Sequence, residues 1–164
     1  MPTWPTITPS STLAVGSALP ASTVDALGQA EQTIGQAWQS YSPSLTNLTI
    51  GNGTVAGYYN QTGKTCDVWI KIAAGTTTTY SASTATVSLP ATVSAVGDQL
   101  LLGRLYASPG NYSAQGQLPA NATVANLLVT STTAPYGLTA LTSTGCYTPG
   151  TAGYLILHGR FWTA

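Results

Sequence analysis

Few side chains in this 164-residue chain can carry out acid–base or nucleophilic chemistry. General acid–base catalysis requires positioned groups with tuned pKa values. The chain offers one histidine, His158, and four acidic residues that lie far apart in the sequence, at Asp25, Glu31, Asp67 and Asp98. The sequence therefore predicts a protein that is not an enzyme and has no catalytic residues.

The cysteines do not form a recognisable metal or nucleophile motif. Cys66 and Cys146 match neither CxxC nor a zinc-ligand spacing. We therefore predict two unpaired, mostly buried thiols, with a disulfide only if their Cα atoms come within about 7 Å. A Cys66–His158 dyad would need an orienting group and a lowered thiol pKa. Gly51-Asn-Gly53 lacks the following helix of a phosphate-binding loop. No metal and no cofactor is expected.

Net charge limits the class of partner. The chain has a formal net charge of zero, so it has no basic surface with which to bind nucleic acid or an anionic membrane. No segment approaches the roughly 18 apolar residues of a membrane span, and the first residues lack the features of a secretory signal. We expect synthesis in a cytoplasm. Low net charge also favours association, which indicates an assembly.

Residues 1–21 are predicted to form an extended arm. Proline fixes φ and disfavours helix in the residue before it, and four prolines interrupt this Thr/Ser-rich segment: Pro2, Pro5, Pro9 and Pro20. The arm is either a disordered tail or a segment that becomes ordered when Trp4 and Ile7 bind in a neighbouring protein's groove.

Residues 22–41 are predicted to form an α-helix. Ser22 suits the N-cap, and Asp25 suits the N3 position near the positive end of the helix dipole. A heptad-like seam follows, with one polar interruption: Val24, Leu27, Glu31, Ile34, Trp38 and Tyr41. Two interpretations fit this seam. The helix packs on the following sheet, or it forms a short parallel bundle about a three-fold axis.

Residues 42–164 are predicted to form an antiparallel β-sandwich or jelly roll of about eight short strands. Alternation is clearest over residues 64–73, where one face has Cys66, Val68, Ile70 and Ile72, and the other has Asp67, Trp69 and Lys71. The turn at Gly51–Gly53 predicts strand, turn, strand over 45–62. A strand or hairpin arm is predicted within 75–88, and further strands over 100–106, 123–130, 136–141 and 153–162, with loops around Pro109-Gly110 and Pro119.

Aromatic residues in the β region provide a second candidate type of site. Sugar sites combine aromatic faces with neutral polar groups, and suitable aromatic residues are Tyr58, Tyr59, Trp69, Tyr106 and Tyr112. The same residue types are enriched in protein–protein interfaces, so both interpretations stay open.

A resemblance to a known group lies in one segment. Trp38-Gln-Ser-Tyr41-Ser-Pro43 and Leu45 to Lys64, with Gly51-Asn-Gly53 and Gly57-Tyr58-Tyr59, followed by the Val68-Trp-Ile70 strand, resemble a module of virion structural proteins of tailed double-stranded DNA bacteriophages, especially those of actinobacteria. The resemblance implies a trimeric β-sandwich on the particle, of the kinds called head decoration, head fibre or minor tail protein. It implies no catalytic residues.

From this resemblance we expect a capsid decoration protein on the outer surface of the virion. The arm and helix would dock on the shell of the major capsid protein through Trp4, Ile7, Leu13 and Val15, and the helical seam would join the copies of a homotrimer. The alternative is a tail-associated minor tail or receptor-binding protein that grips host-surface glycan through Tyr58, Trp69, Tyr106 and Tyr112.

Overall fold

The computed structural model describes residues 37–107, 110–131, 137–143 and 153–164, and these residues form β-strands and no helix. All of them belong to one compact unit, Gln36–Ala164. The strands are β1 (Gln39–Tyr41), β2 (Leu45–Thr46), β3 (Leu48–Thr49), β4 (Thr54–Thr62), β5 (Thr65–Ala74), β6 (Thr79–Tyr80), β7 (Thr86–Ser88), β8 (Gln99–Ala107), β9 (Gly110–Leu118), β10 (Val124–Thr130), β11 (Leu138–Ala140) and β12 (Gly153–Trp162).

Ten of these strands form one antiparallel sheet within the described residues. Its order is β1-β4-β5-β12-β8-β9-β10-β7-β2, with β11 added on β10, while β3 and β6 pair separately. The central strands are long: β5 and β12 have 10 residues each, and β4, β8 and β9 have 9 each. The centre of the sheet is therefore a continuous surface, and the pairing of its long strands fixes which residues lie next to each other across it.

The sheet curls until its two ends approach each other. Strands β1 and β2 lie at opposite ends of the strand order, yet only residues 42–44 separate them in the chain. The hydroxyl of Tyr41 in β1 donates a hydrogen bond to the carbonyl of Ser88 in β7, at 3.4 Å. Because so short a connection cannot cross an open sheet of this width, the chain itself holds the curl closed.

The core lies on the inner face of the curl. Inward positions alternate along each long strand and carry fully buried apolar side chains, including Val68, Ile70, Leu101, Leu118, Leu127, Val129, Leu157 and Phe161. At the β1 end, the ring of Tyr41 lies against Gly57, where an added Cβ would overlap the ring and approach Pro43 to 2.7 Å. Glycine at this position therefore lets the Tyr41 ring close the edge of the core.

The predicted antiparallel, mainly β, sandwich-like character is confirmed. Strand β5 matches the predicted strand closely, and β12 spans the predicted residues 153–162. Cys66 is buried and unpaired, as predicted, whereas Cys146 lies outside the described residues. The jelly-roll topology and the trimer stay predictions.

The predicted helix over 22–41 is wrong at its C-terminal end. Gln39–Tyr41 forms β1, with Gln39 opposite Tyr59 and Tyr41 opposite Gly57 in β4. At this end the prediction of helix depended on the spacing of two aromatic residues, Trp38 and Tyr41. The hydrogen bonds to β4 and the packing of Tyr41 on Gly57 outweigh that spacing. Residues 22–36 of the predicted helix lie outside the described residues.

The predicted strand, turn, strand over residues 45–62 is confirmed, with the short strands β2 and β3 before the turn at Gly51–Gly53 and β4 after it. The strands on the two sides of this turn do not pair with each other. Strand β3 pairs with β6, whereas β4 pairs with β1 and β5. The reason is that Asn52 is tied to a different turn: its Oδ1 accepts hydrogen bonds from the backbone N–H and hydroxyl of Thr77, at 3.0 and 2.9 Å. The turn therefore connects two layers of the fold.

Strand β9 was not predicted, and its first residue was assigned to a loop. Its inward positions are Tyr112, Ala114, Gly116 and Leu118, which give a weak apolar alternation. A Cβ at Gly116 would lie 3.3 Å from a methyl group of Leu157. Small residues in β9 thus leave space for larger side chains from neighbouring strands. For the same reason, the apolar alternation that would predict a strand here is weak. The Thr-rich stretch contributes only the short strands β6 and β7.

Candidate binding surface on the outer face

The strand register places a row of side chains across the outer face of the sheet. Tyr58 in β4 lies opposite Trp69 in β5, Trp69 lies opposite His158 in β12, and His158 lies opposite Leu102 in β8. Directly paired residues on one face of antiparallel strands have neighbouring Cβ atoms. The consecutive strands β4 and β5 and the distant strands β8 and β12 therefore contribute to a single outward row.

The aromatic residues of this row form an open depression. The ring centroids of Tyr58 and Trp69 lie 5.7 Å apart with a 48° angle between the ring planes. Trp38, which directly precedes β1, is 53 % exposed and borders the same space. The depression measures about 570 Å³. We call it the aromatic depression, and its lining includes Trp38, Tyr58, Asp67, Trp69, His158 and Arg160.

An ion pair lies at the border of the aromatic depression. Asp67 and Arg160 are directly opposite in the pairing of β5 with β12. The Nε and Nη2 groups of Arg160 donate to Oδ1 and Oδ2 of Asp67, each at 2.8 Å. Hydrogen bonding to Asp67 and its negative charge raise the pKa of the Arg160 guanidinium. The bidentate geometry fixes both side chains while leaving the Arg160 side chain 65 % and the Asp67 side chain 35 % exposed.

A second aromatic cluster lies farther along the outer face. Tyr106 stacks on Tyr154, with ring centroids 5.3 Å apart and a 21° interplanar angle. Lys71 Nζ lies 5.4 Å from the centre of the Tyr154 ring, and Arg104 Nη2 donates to the Tyr154 hydroxyl at 3.2 Å. Two cations therefore contact this stack.

The structure separates Cys66 from His158. Cys66 is fully buried on the inner face of β5, whereas His158 is exposed on the outer face of β12. Burial, followed by the charge of Asp67, raises the pKa of the Cys66 thiol to about 11. The thiol therefore stays protonated near neutral pH and faces away from the histidine.

The predicted site residues fall into different environments. Tyr58 and Trp69 come together in the aromatic depression, Tyr106 lies in the second cluster, and Tyr112 is half-buried against the core. Tyr41, assigned to the helical seam, instead packs edge-on against Tyr59 at 5.8 Å, and burial raises the pKa of its phenol. The other predicted docking and seam residues lie outside the described residues: Trp4, Ile7, Leu13, Val15, Val24, Leu27, Glu31 and Ile34.

Sequence reasoning did not assemble Trp38, Asp67 and Arg160 into this site. The available signal lies in β12, where alternation with Leu155 and Leu157 inward places His158 and Arg160 on the outer face. Their neighbours on β5 depend on the register between strands 93 residues apart in the chain, and no local pattern encodes that register.

Within the described residues, no group of three or more His, Cys, Asp and Glu side chains could hold a metal ion. None of the described segments forms a helix long and apolar enough to cross a membrane.

Comparison with known proteins leaves the family open. No family model matches the chain, and searches of curated proteins and of solved structures find no significant match. The structure's own geometry and the sequence resemblance are therefore the grounds for assigning a function.

Proposed function

We propose that this chain is a non-enzymatic structural protein of a phage virion, most simply a capsid decoration protein. In this proposal the curled sheet is displayed on the outside of the particle, and the N-terminal region binds the major capsid protein. The observation that carries the proposal is the amount of large apolar surface exposed on the outer face of the sheet.

Five of the eight exposed large apolar side chains among the described residues have a common location. Tyr58, Leu100, Leu102, Tyr106 and Trp162 are between 43 % and 58 % exposed, and strand alternation places all of them on the outer face of β4, β8 and β12. Clustered exposed apolar side chains are characteristic of surfaces that contact other molecules. This favours a protein that works by binding.

The proposed setting on a virion rests on the resemblance of residues 38–70 to phage virion proteins. Docking is assigned to Trp4, Ile7, Leu13 and Val15, and trimerisation to the seam from Val24 to Ile34. Apolar area buried against the shell would stabilise the assembled particle by mass action, because the decoration binds the closed shell and not its separated subunits.

A rebinding experiment tests this proposal. Particles of the source phage are stripped of the protein and mixed with the full chain or with a chain that lacks residues 1–20. The full chain is expected to rebind and to raise the temperature at which the particles release DNA, and the truncated chain is expected to do neither. A quadruple variant with Trp4, Ile7, Leu13 and Val15 replaced by serine separates side-chain docking from arm length. Equal rebinding by all three proteins would contradict the docking assignment.

A second candidate is a tail-associated, receptor-binding protein. The aromatic depression favours it, because tilted aromatic faces beside a bidentate ion pair are suited to sugar recognition. Immunogold labelling of intact virions distinguishes the two candidates: label over the whole head supports decoration, and label confined to the tail supports the second candidate.

A further inference from the structure

We propose that the aromatic depression is a binding site for neutral glycans, in which sugar rings stack on Tyr58, Trp69 and Trp38 and sugar hydroxyls bond to Asp67 and Arg160. This inference rests on the second candidate function and deepens it by naming the binding residues and the class of sugar. The decoration role, by contrast, requires contacts with a shell and no small ligand.

The shape of the depression suits a pyranose ring. Its volume of about 570 Å³ lies within the range of about 300–1,000 Å³ typical of small-molecule sites. The faces of aromatic rings carry partial negative charge, and the C–H groups on one side of a pyranose are weakly positive. The 48° angle between Tyr58 and Trp69 offers two such faces to one ligand.

The ion pair retains hydrogen-bonding capacity toward a ligand. A carboxylate has about four lone-pair positions, and Arg160 occupies two of those on Asp67. The ion pair uses the Nε and Nη2 groups of Arg160, and Nη1 takes no part in it. Adjacent sugar hydroxyls can both donate and accept, so they match an exposed carboxylate held next to an exposed guanidinium. Fixed geometry means that little side-chain entropy is lost on binding.

Charge selects a neutral ligand. Asp67 and Arg160 compensate each other, and among the described residues the other titratable groups that line the depression are Tyr58 and His158. An anionic sugar or a phosphate would compete with Asp67 for Arg160. A second copy of the chain seated on the depression would have to bury the ion pair, and burial of an ion pair carries a large desolvation cost. An open site for a hydrated neutral sugar avoids that cost.

The chain provides two matched control pairs for the test. Tyr58 and Tyr106 are each 43 % exposed, and each contacts one aromatic ring on the same outer face. Trp38 and Trp162 are 53 % and 52 % exposed. Tyr58 and Trp38 line the aromatic depression, whereas Tyr106 and Trp162 do not. Comparison within each pair separates a site effect from a general loss of surface aromatic area.

The binding experiment uses the full chain and isothermal titration with neutral hexasaccharides of glucose, galactose, mannose and N-acetylglucosamine. At least one is expected to bind saturably. Tyr58→Ala and Trp38→Ala are each expected to weaken that binding about tenfold, as loss of one stacking face implies. Tyr106→Ala and Trp162→Ala are expected to stay within about twofold of the unmodified chain. Thermal melting of every variant checks that it is folded.

Asp67→Asn keeps the side-chain volume and tests the charge argument. It is expected to weaken the neutral hexasaccharide several-fold and to strengthen binding of hexagalacturonate, because Arg160 then lacks its internal anion. Three results would overturn the proposal: no binding by any of the four neutral sugars, equal losses in the site and control variants, or unchanged neutral-sugar binding in Asp67→Asn. Sedimentation of the same variants tests whether the depression is instead an interface between copies of this chain. If Tyr58→Ala sediments as a smaller species and the unmodified chain binds no sugar, the depression is such an interface and the glycan proposal is wrong. Rebinding to stripped particles is scored separately, so either proposal can fail alone.

Discussion

Replacing Tyr41 by alanine is expected to destabilise the curled sheet by about 3 kcal/mol. A fully buried aromatic side chain removes about 150–250 Å² from water, and the Tyr41 ring is half-buried. About 100 Å² at about 25 cal/mol per Å² gives about 2.5 kcal/mol, and loss of the edge contact with Tyr59 adds about 0.5 kcal/mol. The free energy of unfolding is measured by urea denaturation, with tryptophan fluorescence as the probe.

The hydroxyl and the ring of Tyr41 can be tested separately. Tyr41→Phe keeps the ring over Gly57 and removes the long hydrogen bond to Ser88, so it is expected to cost less than about 1 kcal/mol. Gly57→Ala is expected to destabilise the unmodified chain, because the new methyl group would overlap the ring. In a Tyr41→Ala background the same substitution is expected to cost less, since the ring is absent.

This double-mutant cycle is the critical comparison for closure of the curl. If Gly57→Ala costs the same with and without the Tyr41 ring, or if Tyr41→Ala leaves the free energy of unfolding unchanged, then the contact between β1 and β4 does not close the core as described.

Three further outcomes follow from the structure. Phe161→Ala should cost about 3–5 kcal/mol and Trp162→Ala under about 1 kcal/mol by urea denaturation, because Phe161 is 1 % exposed and its neighbour faces outward; equal costs would contradict the assigned faces of β12. The free energy of unfolding should fall as pH rises from about 9 to about 11, because the folded chain holds the Cys66 proton to about pH 11 while the unfolded chain releases it near its ordinary pKa of 9.0; Cys66→Ala should flatten this fall, and an unchanged slope would contradict the burial argument. Asn52→Ala should cost about 1–2 kcal/mol in the same assay by releasing its turn from Thr77, and no loss would show that this link contributes nothing.

Strands with large inward side chains could be predicted from the sequence, and a strand with small inward side chains could not. Strand β5 was evident because Val68, Ile70 and Ile72 alternate with polar and aromatic residues. Strand β9 was missed because its inward positions include Ala114 and Gly116, which leave space for residues of other strands. A pattern of apolar residues detects the strand that fills a core, and it does not detect the strand that makes room for it.

The end of the predicted helix illustrates a second limit. Trp38 and Tyr41 are three residues apart. This spacing fits one face of a helix, and it fits a strand preceded by a turn equally well. The hydrogen bonds offered by the edge of β4 decide between them, and the paired residues of β4 lie 16 to 20 positions away. The candidate site depends on the same kind of information: Trp69 was singled out from its type, but its neighbours follow from the pairing of β4, β5 and β12.

Quantitative mass spectrometry of purified virions is the decisive test of a structural role on the particle. We expect the chain to be a virion component in numbers comparable to the major capsid protein, and we expect treatments that remove it to leave a shell that opens at lower temperature. Absence of the chain from purified virions, or recovery of the chain only as a free protein in the lysate, would contradict the account.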